Sequence, residues 1–270
     1  MKSVLYRFGI GVLKLFWQLQ DSRHITAFGV QYKVTPETVF PDHRHLRLPQ
    51  REFLSEIVRY TDFVQLHAVF RHISEMKEAP TIIDVGAYHG TYAIILGKLA
   101  QRLRGKIIAV EPNPESFQIL KKNIYLNGLE DTIICEPIAV LDKPAFANIE
   151  FQGSESYLTK KQTGNTAEVT TLRDLMRKHH IENVDLLIID VEGGELLVLK
   201  GFPWESAKVD KIFCELHPYA WNNFGYSGED LRRFLKDHGY RCLDMYLKEH
   251  KIFDNSMYIG PTLFAGDLTQ

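Results

Sequence analysis

The segment TIIDVGAYHGTY places an acid and two glycines where a buried strand gives way to a helix. Asp84 ends the apolar run, and Gly86 and Gly90 follow it in the pattern D-x-G-x-x-x-G. Such a turn directs backbone N–H groups and the positive end of a helix toward a ligand. Dinucleotide sites usually have the pattern G-x-G-x-x-G, and here the middle glycine is replaced by Tyr88. The segment therefore predicts a cofactor site that is not of the usual dinucleotide type.

Dinucleotides and S-adenosylmethionine both bind at such turns, and the charge of Asp84 distinguishes between them. A carboxylate repels a pyrophosphate but attracts an ammonium group. S-adenosylmethionine carries an ammonium and a sulfonium and has no phosphate. We therefore predict that S-adenosylmethionine binds at Asp84, Gly86, Ala87 and Gly90. The alternative is that Asp84 is only a capping acid at a junction of strand and turn.

The ends of the next two strands are expected to contact the rest of the cofactor. Glu111 follows the glycine turn by about 20 residues, where a carboxylate can accept hydrogen bonds from both ribose hydroxyls. Pro112 then ends the strand and presents the acid. NAD enzymes also have an acid here, so Glu111 does not separate the cofactors. Near the adenine we expect Glu136 or the backbone around Ala139, with an exposed Glu136 as the alternative.

A second set of polar residues follows the fourth and fifth strands, in IIDVEGGE and CELHP. Asp190 ends the fourth strand at the edge where ligands bind in such sheets, and we assign it to both cofactor and acceptor. Glu215 and His217 are two residues apart in an extended segment and so face the same side. We predict His217 as a general base for a hydroxyl group, with Asp190 as the alternative base or a substrate-orienting group. A histidine that only caps a strand before Pro218 is the structural alternative.

The same residues contain the oxygen and imidazole ligands that a divalent cation uses. A divalent metal is therefore possible, although no spacing in the sequence demands one. Glu192 and Glu195 also fit a simpler role as acids near the N-terminus of a helix. The following aromatic segment, HPYAWNNFGYSGED, suits either stacking on a sugar or packing in the core.

Alternating strands and helices position these residues. Five short apolar segments are typical of parallel strands covered on both faces: TIIDV, KIIAVE, DTIICE, VDLLIID and KIFCEL. Helical patterns lie over residues 92–103, 114–126, 172–180, 196–199 and 231–238, with Pro114 and Ser227 near two helix starts. YRCLDMYL and NSMYIGP are expected to close the sheet as a hairpin. The predicted class is α/β, with a doubly wound, mostly parallel sheet.

Residues 1–70 are predicted to be a helical and irregular extension of a domain over residues 71–270. Apolar residues recur at helical spacing before residue 20, so this helix either packs on protein or makes a peripheral membrane contact through residues 1–20. Residues 21–50 are expected to be irregular, and FQGSESYLTKKQTGN is expected to be a polar loop, either a lid or merely exposed.

The composition limits the classes of partner. The 270 residues carry a formal net charge of −2, and the sequence pI is ≈ 6.6. Nucleic-acid binding is not expected, because its affinity comes mainly from neutralising phosphates. The three cysteines lie far apart in apolar segments. A reducing, cytoplasmic location therefore fits better than a disulfide framework or zinc site.

The pieces IIDVGAYHGTY, AVEPNPESFQILKKNIYLNGL, LLIIDVEGGELLVLKGF and IFCELH resemble the FkbM-type methyltransferases, in the order found in that family. The resemblance implies a Rossmann-like, seven-stranded class I methyltransferase fold and O-methylation, often of a sugar. It assigns Asp84, Gly86 and Gly90 to the cofactor motif and Glu111 to the ribose. Asp190, Glu192 and Glu195 match the family's acidic motif. Members commonly have Asn at the position of Tyr88.

We therefore predict an S-adenosylmethionine-dependent O-methyltransferase acting on a glycan or other small molecule. The alternatives are an N-methyltransferase or a methyltransferase with a lipid-linked acceptor. A noncatalytic cofactor-binding protein and an NAD-dependent enzyme fit the residues less well. The acceptor and the oligomeric state cannot be read from this pattern.

Overall fold

The computed structural model describes residues 22–27, 30–38, 78–152, 155–159, 166–243 and 261–265. The predicted helix before residue 20, and with it the choice between protein packing and membrane contact, lies outside these ranges. Within the described ranges, no helix is long and apolar enough to cross a membrane.

Thirteen strands are described. They are β1 (Arg23–Ala27), β2 (Val30–Val34), β3 (Thr81–Val85), β4 (Lys106–Val110), β5 (Ile133–Glu136), β6 (Ala139–Val140), β7 (Ala145–Gln152), β8 (Glu155–Thr159), β9 (Thr166–Thr170), β10 (Val184–Ile189), β11 (Val209–Glu215), β12 (Arg241–Leu243) and β13 (Pro261–Ala265). The α-helices in the same ranges are α1 (Thr91–Arg102), α2 (Pro114–Leu126), α3 (Leu172–Lys178), α4 (Glu195–Lys200) and α5 (Gly228–Asp237). A short 3₁₀ helix covers Trp221–Phe224.

The central sheet has seven strands in the order β12-β13-β11-β10-β3-β4-β5. The five strands from β5 to β11 pair in parallel. β13 lies between β11 and β12 and is antiparallel to both. The predicted α/β class and mostly parallel sheet are confirmed. In this order β3 and β10 are neighbours, so the carboxyl ends of these two strands meet at one edge.

Helices cover both faces of this sheet. Along β3, Ile83 and Val85 contribute to the apolar cluster that includes Leu175, while Ile82 contributes to the cluster on the other face that includes Ile94. Successive side chains of a strand point to opposite faces. Asp84 therefore points to the face of Ile82, which α1 and α2 cover.

Two predicted helix starts are confirmed. Pro114 occupies the first turn of α2, after an Asn113 side chain that accepts hydrogen bonds from two backbone N–H groups. Ser227 caps α5 and forms a capping box with Asp230. Each cap satisfies N–H groups that have no partner within the helix.

The prediction of an irregular segment over residues 21–50 is wrong for residues 23–27 and 30–34, where β1 and β2 pair antiparallel. In β2, Tyr32 and Val34 are buried against the core, while Gln31 and Lys33 are exposed. This alternation is the period of a strand with one buried face. It was visible in the sequence, but the run is short.

A second sheet, with the order β6-β9-β7-β8, lies between β5 and α3 in the chain. The predicted polar loop over residues 151–165 is wrong at β8, which pairs antiparallel with β7. Polar segments can form strands when a neighbouring strand supplies the backbone hydrogen bonds. The sequence of one segment does not show that neighbour.

A buried asparagine joins the N-terminal hairpin to the central domain. The Asn123 side chain accepts hydrogen bonds from Thr35 N (2.8 Å) and Thr38 Oγ1 (3.2 Å), and it donates to His89 O at 2.8 Å. His89 belongs to the glycine turn. Asn123 therefore connects the hairpin, α2 and this turn.

Replacing Asn123 with alanine is expected to lower the free energy of unfolding by about 2–4 kcal/mol, because buried polar groups then lose their partners. Urea unfolding would measure the change. Gln101→Ala is the matched control, since the exposed Gln101 side chain makes one bond, to Gly128 O. Equal effects of the two substitutions would show that the buried network does not stabilise the fold.

Candidate functional site

The glycine turn follows β3 and leads into α1 at the carboxyl edge of the central sheet. Gly86 and Gly90 have φ angles of 87° and 86°, which residues with a Cβ rarely adopt. The N–H groups of Gly86 and Ala87 both donate to Val110 O at 2.9 Å. A Cβ built on Gly86 would overlap the carbonyl oxygen of Asp190. The turn is therefore packed directly against the end of β10.

Tyr88 takes the conformation that the missing middle glycine would have supplied. Its φ angle is 49°, in the left-handed region where asparagine is more common than tyrosine. The Tyr88 ring stacks on His89 with the ring centres 3.7 Å apart. The sequence showed that the middle glycine is absent at this position. It did not show that the turn keeps its shape with Tyr88 instead.

Asp84 lies beneath the turn with 1% of its surface exposed. Neither carboxylate oxygen has a hydrogen-bond partner among the described residues. Burial raises the pKa of Asp84 to about 7, the charge of Glu111 adds to the rise, and the backbone N–H of Ala93 lowers it. A buried carboxylate with so little hydrogen bonding is costly as an anion. The position fits a donor or cation that these residues do not supply.

Glu111 follows β4 and is also buried. Its carboxylate accepts hydrogen bonds from Tyr88 N at 2.7 Å and from Asn113 N at 2.8 Å. Burial raises the pKa of Glu111 to about 7 against the lowering effect of these two bonds. Pro112 follows the strand end, as the sequence suggested. Each oxygen can accept a further bond, so the carboxylate fits a pair of hydroxyl groups beside the turn.

Glu136 ends β5 and has partners of its own. Its carboxylate lies 2.7 Å from Lys178 Nζ and 2.6 Å from His179 Nε2, at the end of α3. The residue is 6% exposed, so the alternative that Glu136 is simply exposed is wrong. Ala139 is buried in β6 and pairs with Val169 of β9. Of the two predicted adenine contacts, the backbone near Ala139 is the one not committed to an ion pair.

Four residues converge at the ends of β10 and β11. His217 Nε2 lies 3.8 Å from Asp190 Oδ1, 3.7 Å from Glu192 Oε2 and 3.9 Å from Glu215 Oε1. The predicted grouping of Asp190, Glu215 and His217 is thus present as one cluster in the structure. Asp190 is its most exposed member, with 34% of the side chain accessible, whereas the His217 side chain is 5% exposed.

Glu195, the first residue of α4, contacts the Nδ1 side of this histidine. One oxygen accepts from His217 N at 3.0 Å and lies 2.8 Å from His217 Nδ1. The other accepts from Trp221 Nε1 at 3.0 Å and Tyr226 Oη at 2.8 Å. Glu195 is 0% exposed. Its contacts direct the Nε2 atom of His217 toward the three other carboxylates.

In the aromatic segment HPYAWNNFGYSGED, some aromatic side chains lie in the core and one lies at the surface. Trp221 and Tyr226 are buried, and their polar atoms bind Glu195, so they belong to the core. Tyr219 is 47% exposed, and its hydroxyl donates a hydrogen bond to Glu192. The ring of Tyr219 meets the His217 ring edge to face. One aromatic side chain of the segment is thus available beside the cluster.

The surrounding charges determine the protonation of His217. Burial lowers the pKa of this imidazole, but the hydrogen bond to Glu195 and the charges of Asp190 and Glu192 outweigh burial and raise it to about 10. These carboxylates therefore favour the protonated form of the imidazole ring.

The structure brings the two predicted halves of the site together. The Gly86 turn contacts the Asp190 backbone, and the Asp190 N–H donates to Val85 O at 2.9 Å. Sequence reasoning matched Glu195 to the family's acidic motif or to an acid near a helix N-terminus, and it missed that this side chain binds His217. Its signal was the third acid of DVEGGE, but spacing does not show which acid turns inward.

Known proteins are similar to this chain in sequence. A family model described as the methyltransferase FkbM domain matches residues 84–242. The methyltransferase sdnD of Sordaria araneosa is 26% identical over 174 residues, which are 50% of this chain and 66% of that protein. The hexuronic acid methyltransferase AglP of Haloferax volcanii is 28% identical over 170 residues, covering 61% and 67% of the two chains.

A solved methyltransferase FkbM from Methylobacillus flagellatus KT has 14% identity and a TM-score of 0.46, covering 70% of this chain and 44% of that one. The chain thus spans about two thirds of these two curated relatives and less than half of that solved chain.

Proposed function

The chain belongs to the FkbM methyltransferase family, and on that premise we propose that it transfers a methyl group from S-adenosylmethionine to a hydroxyl group of a sugar or related small molecule. One observation carries the proposal. The Gly86 turn and the polar cluster at Asp190 share a wall at the carboxyl edge of the sheet, with Gly86 against the Asp190 carbonyl. A cofactor on the turn and an acceptor on the cluster would therefore be neighbours.

The residues of the turn fit the proposed cofactor. When bound, S-adenosylmethionine supplies an electrophilic methyl group on a sulfonium. Asp84 offers a buried carboxylate whose oxygens have no donors among the described residues, which favours a cationic ligand. Glu111 retains acceptor capacity for ribose hydroxyls. Because Gly86 and Gly90 have no Cβ, the turn can pack against Asp190 and Leu120 and keep its shape.

On the acceptor side, Asp190 is the group that an incoming hydroxyl meets first. It is the most exposed carboxylate of the cluster and adjoins the turn. His217 lies behind it, with Nδ1 against Glu195. We therefore assign the base to Asp190, the alternative in the sequence prediction, and place Glu215 and His217 around the acceptor. A well-placed base contributes about 10²–10⁴ in rate.

Two observations support a sugar as acceptor. AglP, one of the similar proteins, is a hexuronic acid methyltransferase. The exposed ring of Tyr219 lies beside the cluster. There an aromatic face can pack on the apolar face of a sugar ring while the carboxylates accept hydrogen bonds from the sugar hydroxyls.

Thermal unfolding with S-adenosylmethionine, S-adenosylhomocysteine and NAD tests the cofactor. The first two are expected to add about 2.7 kcal/mol at 100-fold over the dissociation constant, which raises the midpoint by about 5–10 °C. NAD is expected to leave the midpoint unchanged. A rise with NAD alone would overturn the proposal.

Release of S-adenosylhomocysteine in the presence of a panel of glycosides and free uronic acids tests the acceptor. Release that depends on a compound with a free hydroxyl supports O-methylation. Release only with amines would contradict O-methylation while leaving the methyltransferase assignment in place.

A further inference from the structure

We propose that Asp190, Glu215 and His217 form a binding site for one divalent cation such as Mn²⁺. The site lies on the acceptor side of the sheet edge, and its meaning for catalysis rests on the proposed function. The ion-binding claim itself rests on three ligand atoms and on the residue that orients one of them.

The ligand atoms are close enough to share one ion. One atom each from Asp190, Glu215 and His217 lies within 4.8 Å of the others. His217 Nε2 is 3.8 Å from Asp190 Oδ1 and 3.9 Å from Glu215 Oε1. An ion about 2.2 Å from His217 Nε2 and from one of these carboxylate oxygens would see each of the two pairs at an angle of about 120°. Three protein ligands leave coordination positions open for a hydroxyl and for water.

The donor set indicates the type of ion. Carboxylates suit Mg²⁺, Ca²⁺ and Mn²⁺, while an imidazole suits transition metals such as Zn²⁺ and Fe²⁺. Two carboxylates with one imidazole suit Mn²⁺ as a probe, because Mn²⁺ binds carboxylates readily and also accepts an imidazole. A third carboxylate, Glu192, lies 3.7 Å from His217 Nε2 and adds negative charge.

The orientation of His217 is the observation that separates this cluster from a group of surface acids. Its side chain is 5% exposed, and Nδ1 lies 2.8 Å from Glu195 Oε1, so Nε2 is directed into the carboxylates. Metal-binding histidines commonly donate their second N–H to a carboxylate in this way. Glu195 is thus a positioning residue, since it acts on the ion through His217.

The imidazole faces Asp190, Glu192 and Glu215 on one side and Glu195 on the other. A divalent ion bound here would place two positive charges beside these carboxylates. A hydroxyl bound beside such an ion loses its proton more readily.

Titration of the full chain with Mn²⁺, without cofactor, tests the site. The six-line electron paramagnetic resonance signal of free Mn²⁺ disappears on binding and gives stoichiometry and affinity. One bound ion per chain is expected, with binding weakened at least about 10-fold in Asp190→Asn and in Glu215→Gln. Glu195→Gln is expected to weaken binding by about 10–100-fold although it does not touch the ion.

Glu205→Gln is the matched control, because Glu205 is an exposed carboxylate paired with Arg173. It is expected to bind Mn²⁺ as tightly as the unaltered chain. If Glu195→Gln fails to fold, as judged by circular dichroism, the two ligand variants still decide the question.

The proposal is overturned if no Mn²⁺ binds at millimolar concentration, or if Asp190→Asn and Glu215→Gln bind as tightly as the control. Thermal unfolding with S-adenosylmethionine separates this failure from failure of the proposed function. A protein that is stabilised by S-adenosylmethionine but binds no Mn²⁺ keeps the methyltransferase proposal and loses the ion. A protein that binds Mn²⁺ but is not stabilised by S-adenosylmethionine keeps the ion site and loses the methyltransferase proposal.

Discussion

Replacing Gly86 with alanine is expected to abolish binding of S-adenosylmethionine and to lower the free energy of unfolding by roughly 3–5 kcal/mol. The new Cβ would overlap the Asp190 carbonyl oxygen. Neither side can easily move, because Gly86 N–H donates to Val110 O and Asp190 N–H donates to Val85 O, both at 2.9 Å. The turn would therefore separate from the end of β10. Urea unfolding and isothermal titration with the cofactor would measure the two effects.

Gly128→Ala is the matched control for this substitution. Gly128 also has a positive φ angle, 61°, but an added Cβ would meet no atom within 4 Å. Its replacement carries only the cost of the left-handed conformation, about 1–2 kcal/mol. The difference between the two variants isolates the contact with Asp190. Equal losses, or normal cofactor binding by Gly86→Ala, would contradict the shared wall between turn and cluster.

The features that local sequence can determine were predicted well. The five parallel strands follow from short β-branched runs, and the caps at Pro114 and Ser227 follow from positions within four residues of each other. The glycine turn and Glu111 are also local signals, because an acid or glycine at a strand end has few roles. In each case the residues that decide the structure are close in the chain.

The features that depend on distant partners were not predicted. The sequence did not show that the Glu136 carboxylate pairs with Lys178 and His179, more than 40 residues later. Glu195 was matched to the family's acidic motif or to a helix N-terminus, and its bonds to His217 and Trp221, which are 22 and 26 residues away, were not foreseen. Spacing shows which residues share a strand end, but not which of several acids the core encloses.

The buried state of Asp84 gives the second large prediction. Asp84→Asn is expected to stabilise the cofactor-free protein at pH 8 and to weaken binding of S-adenosylmethionine by about 100-fold. Asparagine resembles the protonated acid and carries no charge to bury. Its stabilising effect at pH 8 should be roughly 2–4 kcal/mol, since each tenfold change in an ionisation constant corresponds to about 1.4 kcal/mol.

The pH dependence follows from the direction in which burial moves the pKa. Burial raises the pKa of Asp84 from 3.8 to about 7, so between these values the folded protein holds more protons than the unfolded chain. Its stability therefore falls as pH rises through this range, and the loss is complete above pH 7. The stability difference between Asp84→Asn and the unaltered protein should be near zero at pH 4 and largest at pH 8. Urea unfolding at several pH values would measure it.

Asp185→Asn is the control for loss of a carboxylate at the other edge of the same sheet. Its side chain accepts a hydrogen bond from Thr81 N at 2.7 Å, at the start of β3. It should leave cofactor binding unchanged. An Asp84→Asn variant that is no more stable at pH 8 would show that Asp84 is not a costly buried charge. A variant that gains stability but binds S-adenosylmethionine normally would show that the charge is buried for a reason other than the cofactor. Stability at pH 8 and cofactor binding together therefore decide whether the buried charge of Asp84 lowers the stability of the protein in order to bind a cationic ligand.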